Sequence, residues 1–400
     1  MNDSPASPSQ REGTPYPERS PNIYWMSWGG WKSPVEDLFC SWISLPQPPQ
    51  PPFVAAYRRR FELDKPATVN LHVTADERYE LFFDGRRLGR GPERGDAFNW
   101  YFESYPVELS AGEHVLVAKV WSLGRELAPT AQMSVRHGLL VATGGEADAI
   151  LATGVAEWEG MLLAGRTFAS HPIVGATGPR ECVDGSRYAW GVENGEGEGW
   201  TPVEVAEPAR SSLAYTGIPG TGLHALAPAL LPPMLSRIVT TGTVRHPAAA
   251  ANTSETTPCQ FAMWGTPDAN VATEDTESLY AAKNNLPDQQ AEWQGLLRGQ
   301  ALRIPPHATR RALIDLEDYY CGYPELVVSG GRDANVRINW AEALVEPASN
   351  TKGNRDEIEG RRFMGYGDLF LPEGGQSRSY STLWWRAGRY IEVNVQTAEE

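Results

Sequence analysis

Cysteine is scarce in this 400-residue chain: Cys40, Cys182, Cys259 and Cys321 lie far apart, with no CxxC pair. That spacing suggests neither a zinc knuckle nor a dense disulfide scaffold, and buried reduced thiols are the simpler reading. Histidine is scarce too, seven dispersed residues without paired-ligand spacing, so no His/Cys metal site is expected. There is no GxxxxGK followed by Ser or Thr, no GxSxG and no HExxH. The nearest glycine motif, Gly89, Gly91 and Gly95, has the wrong spacing for a dinucleotide and follows a hairpin instead of opening a helix, so no cofactor is expected. Basic residues are outnumbered, 35 Lys+Arg against 50 Asp+Glu, a formal charge of −15 that would repel nucleic acid or an anionic membrane. No run approaches the length of a membrane span, and Met1 to Pro21 is Ser/Pro/charge-rich without an apolar h-region. The expectation is a soluble, cytoplasmic protein with a disordered tail over 1–21.

Glycine (39) and proline (32) are abundant, and punctuate the chain too often for long helices, while Val, Thr, Tyr, Phe and Trp fill the intervals. That is an all-β signature. From Val69 to Thr74 apolar residues take the odd positions and polar ones the even, the period-2 pattern of a half-buried antiparallel strand. Tyr79–Phe83 reads the same way, and Asp84-Gly85 after it supplies a hairpin turn, since both residues tolerate positive φ. Further strands are expected at Tyr57–Leu63, Tyr105–Leu109, Val115–Ser122 and Gln132–Val141, giving a sandwich or jelly roll. A second β-rich block shows strands at Arg237–Val244, Ala301–Ile304, Arg310–Leu316, Glu325–Val328, Val336–Val345 and Tyr390–Val395. The Ala/Gly/Pro-rich stretch Pro208–Pro233 holds the boundary. The expected organisation is therefore a first sandwich over 22–207, a linker over 208–225, and a second sandwich over 226–400 with a long polar loop at about 248–285.

The densest polar stretch is Lys352–Arg362, carrying Lys352, Asn354, Arg355, Asp356 and Glu357 and flanked by Glu342 and Asp368. Two carboxyls at a suitable separation can hydrolyse a glycosidic bond, one as acid and one as base or nucleophile. Here bases alternate with acids, which keeps the acids ionised, so a solvated loop or interdomain salt-bridge network is the stronger reading. Aromatic clusters stand at Trp25, Trp28, Trp31 and Trp42, at Trp100-Tyr101-Phe102, and at Trp384-Trp385. Flat aromatic faces stack on the C–H faces of sugars while nearby amides and carboxylates bond the hydroxyls. Large aromatics also fill sandwich cores, and Trp384 and Trp385, adjacent on a strand, cannot both face one core. The best candidates for a sugar ligand are Trp28, Trp31, Trp100 and Tyr101, with Asp96 and Asn99 beside them.

Taken together, Trp340–Leu344, Lys352–Asp356, Glu359-Gly360, Gly367-Asp368, Pro372–Gly375 and Leu383–Arg386 through Arg389-Tyr390 resemble the β-sandwich region ahead of the catalytic domain in α-L-rhamnosidase-like glycoside hydrolases. Leu226–Met234 is similar to that family's LxPRxIPPM junction, with Ala229 where Arg is usual. Phe83–Gly85, Tyr101–Tyr105 and Ala111–Val115 resemble its galactose-binding-like jelly roll. The resemblance implies removal of terminal α-L-rhamnose with inversion, by acidic residues on an (α/α) barrel that would begin where this chain stops. The family's catalytic acids have no matching positions here, so no catalytic residue is assigned. Three readings stand: the non-catalytic β-portion of such an enzyme, with Lys352–Glu357 at an interdomain seam or the mouth of the active site and the catalytic barrel as its partner; a stand-alone protein that binds carbohydrate, rhamnosides or plant-type glycans; and an interaction scaffold.

Overall fold

The structure is a computed structural model that describes residues 40–170, 174–211, 224–232, 234, 236–249, 257–263, 266–273, 286–346, 349, 351–361, 363 and 365–399. The expected tail over 1–21, together with Trp28 and Trp31, lies outside them. The fold is all-β, with several sheets and only short helices. It divides into two compact units, one of residues 40–164 and 189–236, the other of residues 165–188 and 237–399.

The first unit is a β-sandwich. One sheet runs in the order Glu204–Pro208, Ser41–Ser44, Gly138–Ala142, Ala67–Asp76, Trp100–Leu109, Ala225–Pro228, Arg210-Ser211. The other runs Thr201-Pro202, Glu159–Leu163, Phe53–Leu63, Gly112–Ser122, Arg78–Phe83, Arg86–Gly91. Alternation decides which side chains meet between them: Phe53, Ala55, Tyr57 and Phe61 from one strand, Leu116, Ala118 and Val120 from its neighbour, and Leu71, Val73 and Ala75 from the opposite sheet are all in one buried core. The expected hairpin is present, with Asp84 at φ 46° and Gly85 at φ 74° between the paired Phe83 and Arg86. A Cβ on Gly85 would also meet the Asn194 side chain at 1.9 Å, so the turn and its cover both require glycine there.

The larger sheet nearly closes on itself. Residues 201–211 pair first with Glu159 and Gly160 of the smaller sheet, then with Ser41–Ser44 at one end of the larger sheet, and finally with Ala225 and Leu226 at its other end. This encloses a second apolar cluster on the sheet's outer face, made of Cys40, Trp42, Trp100, Phe102, Leu140, Ala142, Ala152 and Leu226. The stretch expected to be a strand from Gln132 is extended only over Gly138–Ala142, because the N–H groups of Val135 and Arg136 turn to the Asp76 carboxylate instead of a ladder.

In the second unit, a seven-stranded sheet runs Arg166–Ala169, Arg180–Asp184, Tyr366–Leu371, Asn335–Ala341, Arg386–Gln396, Thr309–Gly322, Thr243–Ala248. The ribbon Glu325–Val328 with Arg378–Ser381 lies against it through Tyr380, whose ring stacks 5.3 Å from Phe370. Three sequence expectations are corrected here. Residues 165–188, placed by sequence in the first sandwich, belong to this unit, since Arg180–Asp184 pairs parallel with Tyr366–Leu371. Ala301–Ile304 is not a strand: Pro305 and Pro306 follow it, and proline offers no N–H to a ladder. Within the expected loop at about 248–285, Thr257–Met263 and Thr266–Thr273 pair as a hairpin. Trp384 is buried and Trp385 half-buried, but neither is on a strand: both lie in the bend between Arg378–Ser381 and Arg386–Gln396.

What draws residues 165–188 into this unit is a buried ion network. Arg386, with no exposed surface, donates Nε to Asp368 Oδ2 at 2.8 Å and Nη2 to Asp368 Oδ1 at 2.6 Å. Its remaining N–H groups reach the carbonyls of Thr177 and Pro179 at 2.7 and 2.8 Å, and Glu181 Oε1 stands 3.5 Å away. Asp368 also accepts the Glu181 N–H at 2.8 Å, and Glu181 accepts from Leu383 N and is paired with Arg166. Burial alone would favour loss of the Arg386 proton, but Asp368 and Glu181 outweigh it and hold the guanidinium charged above its usual range.

Candidate functional site

Among the sequence candidates, Asp96, Asn99, Trp100 and Tyr101 come together at one rim of the first unit. Asp96 and Asn99 build the turn that presents the strand: Asp96 Oδ1 accepts the N–H of Phe98 at 2.8 Å and of Asn99 at 2.9 Å, an Asx-type turn. Both are exposed. Trp100 is only 4% exposed, its ring edge-on to His224 at 4.5 Å, so it offers a ligand an edge and not a stacking face. Tyr101, pointing the other way along the strand, is half-buried.

Trp100 and Tyr101 line a small pocket with Pro92, Glu93, Arg94, Gly95, Glu77, Gln132 and Met133. It holds about 200 Å³ of space, open solvent included. Its rim is fixed by Glu93, whose carboxylate accepts Leu230 N at 2.9 Å and Leu231 N at 3.0 Å. Two polar atoms of the lining are buried without a hydrogen-bond partner among the described residues: Trp100 Nε1 and Gln132 Oε1.

Glu77 is buried at the end of the Ala67–Asp76 strand, its carboxyl accepting the N–H groups of Leu123 and Gly124, each at 3.0 Å. Burial pushes its pKa from 4.5 up to about 7, with the Asp76 charge adding to the rise against those hydrogen bonds. The folded protein therefore holds a proton that the unfolded chain releases, so this group's stabilisation is complete below pH 4.5 and is lost as pH rises through about 7. Glu77→Gln is expected to remove that dependence, worth about 3 kcal/mol over the interval by linkage. Urea unfolding of both chains across the interval tests this, and parallel curves would refute it.

Beneath the pocket, Asp76 anchors three elements. Its carboxylate accepts Ser134 Oγ at 2.7 Å, Val135 N at 2.6 Å, Arg136 N at 2.9 Å and His224 Nε2 at 2.9 Å. Burial would raise its pKa, but the bonds from His224, Val135 and Ser134 outweigh burial and hold it below the ordinary value. His224 is itself stacked on Trp42 at 4.3 Å, and its Nδ1 faces Glu207 at 3.4 Å. Sequence reasoning missed Asp76, Glu77, Gln132 and His224. The available signal was the pair of adjacent acids, Asp76 and Glu77, falling between two segments read as half-buried strands, Val69–Thr74 and Tyr79–Phe83.

The polar loop candidates lie elsewhere, in the second unit, and all five are exposed. Glu342 accepts Lys352 Nζ at 2.6 Å and is paired with Arg355, and these two cations hold its carboxyl below the ordinary range. Asp356 Oδ1 accepts Arg389 at 2.6 Å, Glu357 pairs with Arg361, and Asn354 Oδ1 caps the turn by accepting Asp356 N at 3.0 Å. Acids so neutralised suit a salt-bridged surface loop better than proton transfer. Among the described residues no cluster of His, Cys, Asp and Glu could hold a metal ion, and no helix is long and apolar enough to cross a membrane.

No protein-family model and no curated protein matches the chain. A GH78 family rhamnosidase of Bacillus sp. GL1 superposes with a TM-score of 0.57 at 15% identity, over 90% of this chain and 54% of that one. The chain shares that rhamnosidase's fold. It spans about half of the enzyme's length. α-L-Rhamnosidases of Dictyoglumus thermophilum (TM-score 0.44, 14% identity, 90% of this chain and 35% of that one) and Streptomyces avermitilis (0.41, 17%, 87% and 28%) align less well, and neither defines this fold.

Proposed function

We propose that the chain is the non-catalytic β-portion of a rhamnosidase-like glycoside hydrolase. The first unit is read as a galactose-binding-like jelly roll, and the second as a sandwich that docks on a catalytic barrel outside this chain. The observation that carries the reading is the fold shared over 90% of this chain with 54% of a rhamnosidase. The neutralised acids of Lys352–Glu357 support it, because they leave acid/base work to carboxyls elsewhere. In the whole enzyme an inverting pair would stand roughly 6.5–9.5 Å apart, one protonating the leaving oxygen and the other activating water. The 400-residue chain is expected to show no hydrolysis of an aryl α-L-rhamnoside above the buffer rate, and the protein from its own source to exceed 44.0 kDa. Turnover by the chain itself would overturn the reading.

A second reading, carbohydrate binding by the first unit, is favoured by a specific feature: Tyr101 and the Trp100 edge share a pocket with an amide and a carboxyl, the groups that meet a sugar's C–H face and its hydroxyls.

A further inference from the structure

The sheet of the second unit ends on Thr243–Ala248, which has Thr309–Gly322 on one side and, among the described residues, no further strand on the other. Such an edge presents a row of peptide N–H and C=O groups that pair with any extended chain able to reach them. Here the row is met by a helix. Leu286 N donates to Pro247 O at 2.5 Å, and Gln290 Nε2 donates to Val244 O. Gln294 Nε2 donates to Gly242 O at 3.0 Å while its Oε1 accepts Val244 N at 2.9 Å, the two bonds that a residue on a neighbouring parallel strand would make. Helical spacing brings the two amides to this position. Gln290, Trp293 and Gln294 share one face of the helix Gln290–Leu296, where Trp293 is only 1% exposed and both glutamines are half-buried, whereas Ala291 and Glu292 are exposed.

We propose that Gln290 and Gln294 seal this edge against strand addition, and that the partner they exclude is a second copy of the chain joined edge to edge through Thr243–Ala248. An amide side chain carries the donor and the acceptor of a peptide group, so it replaces a neighbouring strand bond for bond. Being on a helix, it presents no new edge to the next chain. A two-fold axis across the open edge would pair the strand antiparallel with itself, so one surface supplies both halves of the contact and the assembly closes as a dimer. The pairing would be short: Pro247 has no N–H, and the strand's register shifts between Arg245 and Ala248, which confines it to the first part of the strand.

The test is Gln290→Ala combined with Gln294→Ala in the whole 400-residue chain, which removes both amides and leaves Trp293 in place. By sedimentation velocity, at salt high enough to screen the formal charge of −15, the double variant is expected to dimerise at least about tenfold more tightly than the unmutated chain. Hydrogen exchange read by mass spectrometry over 242–248 is expected to be fast in the dilute variant and to slow as the dimer forms. Gln294→Glu keeps an acceptor for Val244 N but sets a charge on the edge, and is expected to stay monomeric. A double variant that stays monomeric would overturn the proposal, as would a Gln294→Glu chain that associates equally well. Association that leaves 242–248 exchanging fast, or that costs protection over 309–322 and 386–396, would overturn it too, because the contact would then lie elsewhere or follow from opening of the sheet. If near-UV circular dichroism shows the double variant unfolded, Gln294→Ala alone, which keeps the Gln290 and Leu286 bonds, decides by the same two measurements.

Discussion

Arg386→Met is expected to be the most damaging single change in the second unit, lowering its unfolding free energy by about 3–5 kcal/mol. The arginine is fully buried, and removing it leaves Asp368 and Glu181 as adjacent buried carboxyls without their shared cation. The carbonyls of Thr177 and Pro179 lose their donors at the same time. Much of the cost is thus the stranded acids, so the double change Arg386→Met with Asp368→Leu should recover part of the loss. Hydrogen exchange read by mass spectrometry on peptides from 309–322 and 386–396 separates this unit's opening from that of its neighbour. The contrast is Lys352→Ala, which removes an exposed partner of Glu342 and is expected to cost no more than about 1 kcal/mol. Equal protection in the wild type and Arg386→Met would show that the network holds nothing together.

That network also marks where sequence reading stops. Strands whose one face is buried announce themselves, as Val69–Thr74 does, because each residue's polarity reports its own side of the sheet. The Asp84-Gly85 turn is legible for the same local reason: two residues adopt positive φ, and both types tolerate it. The parallel pairing of Arg180–Asp184 with Tyr366–Leu371 has no local signature, and the acids and arginine that pin it are distant in sequence. Gln132–His137 looks extended by composition, but its backbone donors are claimed by a carboxylate from another strand. The candidate site divides likewise. Trp100, Tyr101, Asp96 and Asn99 are read from residue type alone, whereas the burial of Glu77 and the unmet amide oxygen of Gln132 exist only once the chain has folded.

Asp76→Ala is expected to be the second large loss, about 3–5 kcal/mol in the first unit, and to reach the pocket as well. Four donors end on this one carboxylate, from Ser134, Val135, Arg136 and His224. Without it, the half-buried Val135 N–H, the Arg136 N–H and the buried His224 Nε2 lose their acceptor, and the imidazole, only 1% exposed, bears the largest desolvation cost. The residue also connects the sheet to the site. Asp76 positions His224, and His224 lies stacked on Trp42 and edge-on to Trp100, so loosening the imidazole frees the Trp100 ring from one wall. The expected signature is therefore double: lower protection from exchange over 67–76 and 100–109, and greater acrylamide quenching of the tryptophan fluorescence before global unfolding. Asp76→Asn keeps an acceptor for one or two donors but not the charge facing His224, and should fall between the wild type and Asp76→Ala in both measures. A variant that loses stability with no change in quenching would confine Asp76 to holding the 134–136 turn, and would remove it from any part in shaping the pocket.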